Sequence, residues 1–144
     1  MNQLHYSNID AYSDFFEKWN WHWFATLTFE HKANQNTVDS LRLRWTRDLC
    51  TIEKIQVAYF YVKVNESGHP HLHLLMIGSS KKNKTLLDVD PLKWESAWPY
   101  RAHIFIPDSN VAVAKYFTKN IAQYGSEYDT YNSKLLTKCI KNHL

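Results

Sequence analysis

Two histidines one residue apart, His71 and His73, lie in the run His69-Pro70-His71-Leu72-His73-Leu74-Leu75-Met76. Side chains of an extended strand alternate between faces, so the two imidazoles share one side while Leu72 and Leu74 share the other. The leucines can enter a core while the imidazoles converge on one open spot. Neutral imidazole is a common ligand of divalent ions, so the pair has the form of half a metal site. A polar, solvent-facing side of a half-buried strand has the same spacing, and the rest of the chain must decide between them.

The elements that would carry this pair can be read in order. Ser7 to Trp19 is expected as a short helix capped by Ser7 or Asn8, with Tyr12, Phe15, Phe16 and Trp19 at helical spacing. Trp21 to Phe29 alternates as a strand: Trp21, Trp23, Ala25, Leu27 and Phe29 on one face, His22, Phe24, Thr26 and Thr28 on the other. From Asn34 to Cys50 the period becomes helical, with Val38, Leu41, Trp45 and Leu49 as the apolar stripe and Asn36 or Thr37 as cap. Ile55 to Asn65 is a second strand. Glu66-Ser67-Gly68-His69-Pro70 turns it back into the histidine strand, a β-hairpin signal. Ser79 to Lys84 is a polar, basic loop.

Asp90-Pro91 opens a short helix through Trp94 and Trp98, and Pro99 ends it. Tyr100 to Ile106 is a further strand. Ser109 or Asn110 caps a helix from Val111 to about Gln123, which stops at Gly125. Ser126 to Leu144 is expected as a last amphipathic helix with Tyr128, Tyr131, Leu135 and Cys139 inward. The order helix-strand-helix-strand-strand-helix-strand-helix-helix predicts an α+β domain, an antiparallel sheet with helices on one side.

At 144 residues, with 15% aromatic content and only three glycines, the chain is expected to form one domain over residues 1–144 with a substantial core. A formal charge of +3 permits nucleic-acid binding without demonstrating it. Cys50 and Cys139 are too few to staple a fold and show no zinc-site spacing. That suits reduced thiols in the cytoplasm, and no signal peptide or membrane-length apolar run is read.

Three pieces line up: the strand Phe24-Ala25-Thr26-Leu27-Thr28-Phe29, the His71-Leu72-His73 pair on a hairpin, and Tyr116-Phe117-Thr118-Lys119 on a helix. In this order they resemble the three motifs of the HUH-type endonucleases, the rolling-circle replication initiator (Rep) proteins of small plasmids and single-stranded DNA viruses. The resemblance spans roughly residues 21–124. It implies a ferredoxin-like or RRM-like sheet and a tyrosine that attacks a DNA phosphodiester. That attack leaves a 5′-phosphotyrosine adduct and a free 3′-hydroxyl, and the strand can later be rejoined. Tyr116 is then the nucleophile, and Lys119, on the same helix face, would neutralise phosphate charge or place the phenol. A phenol titrates near ~10 and is a weak nucleophile unaided. Mn²⁺ or Mg²⁺ held by His71 and His73 would polarise the phosphate. Two-tyrosine members carry a second Tyr one turn earlier. That position is Val113 here, so the resemblance is to the one-tyrosine type.

For the third metal ligand the chain departs from the family, which often places a Glu eight residues before the first His, where this chain has Lys63. Glu66 is the expected substitute, opposite His71 if Gly68-His69 forms the two-residue turn. Asn120, one turn after Tyr116, is another; His22 and His69 are more remote. Lys81, Lys82, Lys84 and Arg42 are expected DNA contacts; a solvated loop suits the lysines equally, and a solvated helix face suits Arg42 better. No phosphate-binding helicase motif occurs, so helicase and polymerase would come from the host or a partner. The expected partner is single-stranded origin DNA, with no membrane, and the protein is expected as a monomer or homo-oligomer. Three alternatives stand beside this one: a one-tyrosine transposase, a non-catalytic single-strand binder that stacks bases on sheet aromatics, and a water-activating metallohydrolase.

Overall fold

The computed structural model of the chain describes residues 2–3, 20–30, 33–66, 69–123 and 127–143, and at 2–3, 65–66, 69, 110–111, 120–123, 127–128 and 139–143 the backbone alone. The helix expected over Ser7–Trp19 lies outside the described residues. The strands are β1 (Asn2–Gln3), β2 (Trp23–Thr28), β3 (Gln56–Glu66), β4 (His69–Ser79), β5 (Ala102–Phe105) and β6 (Glu127–Tyr131). The helices are α1 (Gln35–Glu53), α2 (Pro91–Ala97), α3 (Asn110–Gln123) and α4 (Ser133–His143), with one 3₁₀ turn at Leu86–Asp88.

Every described strand pair is antiparallel, and the sheet runs β1-β6-β3-β4-β2-β5, with the two-residue β1 beyond a five-stranded body. The segment β2-α1-β3-β4-α2-β5 is a βαββαβ unit with spatial order β3-β4-β2-β5, the ferredoxin-like arrangement. The fold is α+β, as expected from the sequence.

Local chemistry explains the element ends. Asn34 caps α1, its side chain accepting from the Thr37 amide at 2.9 Å, and Lys54 closes the helix in the left-handed region at φ 57°. The cap thus falls two residues before the earliest position expected. Asp90 accepts from the Leu92 amide at 3.0 Å to open α2, with Pro91 at its first turn.

Two cores sandwich the sheet. On one face Trp23, Ala25, Leu27, Tyr59, Leu72, Leu74 and Met76 pack against Val38, Trp45 and Leu49 of α1, Trp94 of α2, and Trp98. On the other, Phe24, Phe60, Val62, Val64 and Leu75 meet Val113, Ala114 and Phe117 of α3 and Leu135 and Leu136 of α4. Helices therefore cover both faces, not one. The ferredoxin-like unit keeps its helices on a single side, and the C-terminal elements are added on the other.

Two further expectations change. Trp21 belongs to the second core, 5.8 Å from Phe60, because regular alternation begins only at Trp23. Residues 126–144 are not one helix. Glu127–Tyr131 forms β6 and pairs with β3, and the Tyr131 ring stacks on Tyr59 at 5.0 Å and 11°. Aromatic and β-branched residues gain more on that pleated surface than as one helix turn. Asn132 makes the break at φ 59°, a conformation Asn tolerates, and its side chain bonds Val57 O at 3.2 Å and Leu135 N at 3.3 Å.

At the outer strand, the Glu95 carboxylate accepts from the Ile104 amide at 2.8 Å. No helix among the described residues is long and apolar enough to cross a membrane.

Candidate functional site

β4 places His71 and His73 on the face that carries α3 and α4. In register, His73 lies between Thr26 of β2 and Val62 of β3, and His71 between Thr28 and Val64. The two imidazole rings are 4.9 Å apart, near perpendicular. His73 is 4% exposed, and burial, with His71 beside it, holds its pKa down at about 4. It is therefore neutral over the physiological range, the state in which imidazole ligates. Thr26 Oγ1 lies 3.1 Å from His73 Nδ1. With the proton on Nδ1 donated to that hydroxyl, Nε2 keeps its lone pair, the arrangement by which outer groups orient metal ligands.

α3 brings the tyrosine. Val113, Ala114, Phe117 and Thr118 are buried against the sheet, whereas Lys115, Tyr116 and Lys119 are exposed. Tyr116 is 52% exposed, and its ring stands 5.7 Å from the His73 ring and 5.8 Å from that of Phe24. Nucleophile candidate and histidine pair, more than 40 residues apart in sequence, thus meet on one face. Lys119 lies one turn further along the exposed side.

The β3 side of the pair is hydrocarbon. Val62 and Val64, both fully buried, occupy the positions opposite His73 and His71. The ladder pairs Glu66 with His69, so only positions 67 and 68 separate paired residues. The expected Glu66–His71 pairing is therefore incorrect; the turn falls one residue earlier, and Glu66 sits two residues along β3, about 7 Å of strand, from the His71 partner. Lys63 pairs with Leu72 on the opposite face and donates to Gln35 Oε1 at 2.8 Å. In this register even a carboxylate at position 63 would point away from the histidines. Among the described residues no group of three or more His, Cys, Asp or Glu is clustered for a metal. The two imidazoles are the nitrogen donors that the described residues bring together here.

Other candidates fall elsewhere. His22 Nδ1 accepts from the Gly78 amide at 3.0 Å, a structural bond at the far end of β4. Arg42 is not a surface DNA contact. It is 5% exposed, donates to Tyr59 Oη at 3.0 Å, lies 4.2 Å over the Tyr61 ring and pairs with Asp39 at 3.6 Å. Position 42 falls next to the apolar stripe, so α1 carries it under the sheet. Lys84 is held by Glu53, bonding its backbone oxygen at 2.8 Å and its carboxylate at 3.3 Å. Lys81 and Lys82 are exposed, but eight residues of strand, roughly 26 Å, separate His71 from Ser79 at the start of their loop.

The structure adds residues the sequence did not single out as a site. β5 pairs with β2 so that His103 aligns with Thr26 and Phe105 with Phe24. Phe24, 2% exposed, touches His73 at 5.5 Å, Tyr116 at 5.8 Å and Phe105 at 5.1 Å between ring centroids. Its face was readable by alternation, but its place as the common neighbour depends on the β2–β5 pairing, which no local signal announces. Comparison with known proteins adds no relative: no protein-family model, curated protein or solved structure matches the chain.

Proposed function

We propose that this protein is a metal-dependent endonuclease and strand transferase of HUH type that nicks single-stranded origin DNA through Tyr116 and can rejoin it, initiating rolling-circle replication of a plasmid or virus. The observation that carries this reading is the approach of Tyr116 to His73, with His71 4.9 Å further on, across one sheet face. Mn²⁺ or Mg²⁺ on His71 and His73, with Glu66 or Asn120 as a further ligand, would supply Lewis-acid polarisation of the phosphate.

The chain's own residues do the rest. Phe24 and the buried side of α3 fix where the phenol stands. Tyr116 Oη bonds to phosphorus and its proton leaves; the bond from phosphorus to the 3′ oxygen breaks, and that oxygen takes a proton. Lys119 offsets phosphate charge. Attack by a 3′-hydroxyl on the adduct reverses these steps and releases the tyrosine. The exposed Tyr116 suits a single strand laid on the sheet, with helicase and polymerase supplied by the host or a partner. Monomer and homo-oligomer both suit this chemistry, as does the cytoplasm of the host cell.

The deciding experiment is incubation with labelled single-stranded origin DNA and Mn²⁺ or Mg²⁺. We expect a protein–DNA adduct that survives denaturation, with the label on the peptide containing Tyr116. It should be lost in Tyr116→Phe and in the His71→Ala, His73→Ala double variant. Full nicking by either variant, or a DNA-linked peptide without Tyr116, would refute the assignment.

A further inference from the structure

Beside the histidine pair the same face continues onto β5, where nothing assigned so far acts. Phe105 is 39% exposed and stacks on Phe24 at 5.1 Å and 27°, so one side of its ring is backed by a buried ring while the remainder reaches solvent. His103, with 72% of its side chain exposed, lies 5.8 Å from Phe105 between ring centroids. Exposed Arg101 precedes it at the entry to the strand. Phe24 links this pair to Tyr116, so Phe105 lies two ring contacts from the nucleophile candidate. A solvent-exposed ring held rigidly from behind loses little freedom on gaining a partner, and every base offers it a π face.

We infer that Phe105, with His103 beside it, is a stacking seat for a nucleobase of the single strand whose phosphate meets Tyr116. The inference rests on the proposed endonuclease reading for its substrate class, and it adds a binding residue on β5. The edge position suits the role: β5 has a strand partner on one side only among the described residues, and although Glu95 of α2 bonds the Ile104 amide there and lies 3.9 Å from His103 Nδ1, Phe105 keeps 39% of its surface exposed. Stacking tolerates any sequence, so Phe105 contributes affinity and seats the strand without choosing the base.

The test uses the full chain carrying Tyr116→Phe, in chelator, so that neither cleavage nor metal enters the reading. Fluorescence anisotropy would compare a mixed-sequence single-stranded oligonucleotide with an abasic strand of the same length. Phe105→Ala should weaken binding of the base-bearing strand by about tenfold and leave the abasic strand unchanged, and Phe105→Trp should keep wild-type affinity. Phe105→Leu, which conserves most of the volume, should reproduce the loss and serves if the alanine variant does not fold. Equal weakening of both strands, or of neither, overturns the seat. Adduct formation without discrimination by Phe105 removes this inference alone; discrimination without an adduct removes the endonuclease reading alone.

Discussion

The two faces of the sheet differ in how their aromatic residues are used. On the α1–α2 face, indoles are buried and most of their N–H groups are bonded: Trp45 to Trp94 O at 3.0 Å, Trp94 to Glu53 Oε2 at 2.9 Å, Trp98 to Thr28 O at 2.7 Å. On the other face the helices cover the β3 side, and toward β5 there remain half-buried Thr26, Thr28 and His71 and exposed His103, Phe105 and Tyr116. The first face fixes the strands in register; the second uses that register to place polar and exposed aromatic groups. A rigid sheet that keeps exposed side chains on one side, as the described residues do here, is what a site built on strands requires.

Substitutions on the two faces should therefore separate stability from activity. The largest expected effect is on the open face: Tyr116→Phe should remove adduct formation altogether, while the unfolding free energy in urea changes by no more than about 0.5 kcal/mol, as for an exposed position. On the sealed face, Trp45→Ala should cost about 3–5 kcal/mol in urea unfolding. The folded fraction should still nick. A Tyr116→Phe protein as unstable as Trp45→Ala would erase the distinction between the faces.

Proton uptake sharpens the comparison. His73 titrates at about 4 in the folded chain against 6.5 for an ordinary histidine. Below pH 6.5 the unfolded chain takes up a proton that the native one refuses until about 4. Stability should thus be level above the ordinary value, fall as pH drops from 6.5 toward 4, and level again below. Unfolding in chelator should show a loss of about 3 kcal/mol across that window, from about 1.4 kcal/mol per pH unit. His73→Asn should flatten this part of the profile. A smaller effect concerns Arg42. Arg42→Met should shift stability by about 1–3 kcal/mol, through the bond to Tyr59. It should leave single-strand affinity unchanged, whereas Lys119→Gln should weaken that affinity and reduce its salt dependence.

Much of this arrangement was legible in the chain. Alternation placed His71 with His73 and Phe24 with Thr26, and helical spacing put Tyr116 and Lys119 on one face. Those are local periodicities, and they hold wherever the element forms. What escaped depended on pairing between elements. The hairpin register moved Glu66 away from His71 by one turn position, and it put Lys63 on the face opposite the histidines. Arg42 was read as lying off the apolar stripe of its helix, on a solvated face, but Tyr59 and Tyr61 of β3 meet it there. Tyr131 lay at helical spacing and became a strand residue because a stacking partner, Tyr59, waited 72 positions earlier. The meeting of Phe24 with Phe105 likewise belongs to strand order, which no single segment encodes.

The bond from the Ile104 amide to the Glu95 carboxylate has a consequence for self-association. An outermost strand offers outward N–H groups to any extended chain that passes, which is how soluble sheets become fibres. Here the carboxylate of α2 occupies one of those donors in a strand of four residues. A strand arriving at that edge would have to displace a charged acceptor before forming its own ladder, and it would bring its carbonyl up against a negative charge. The margin beside the histidine face is thus guarded at one donor against β-addition by another polypeptide, while His103 and Phe105 stay exposed.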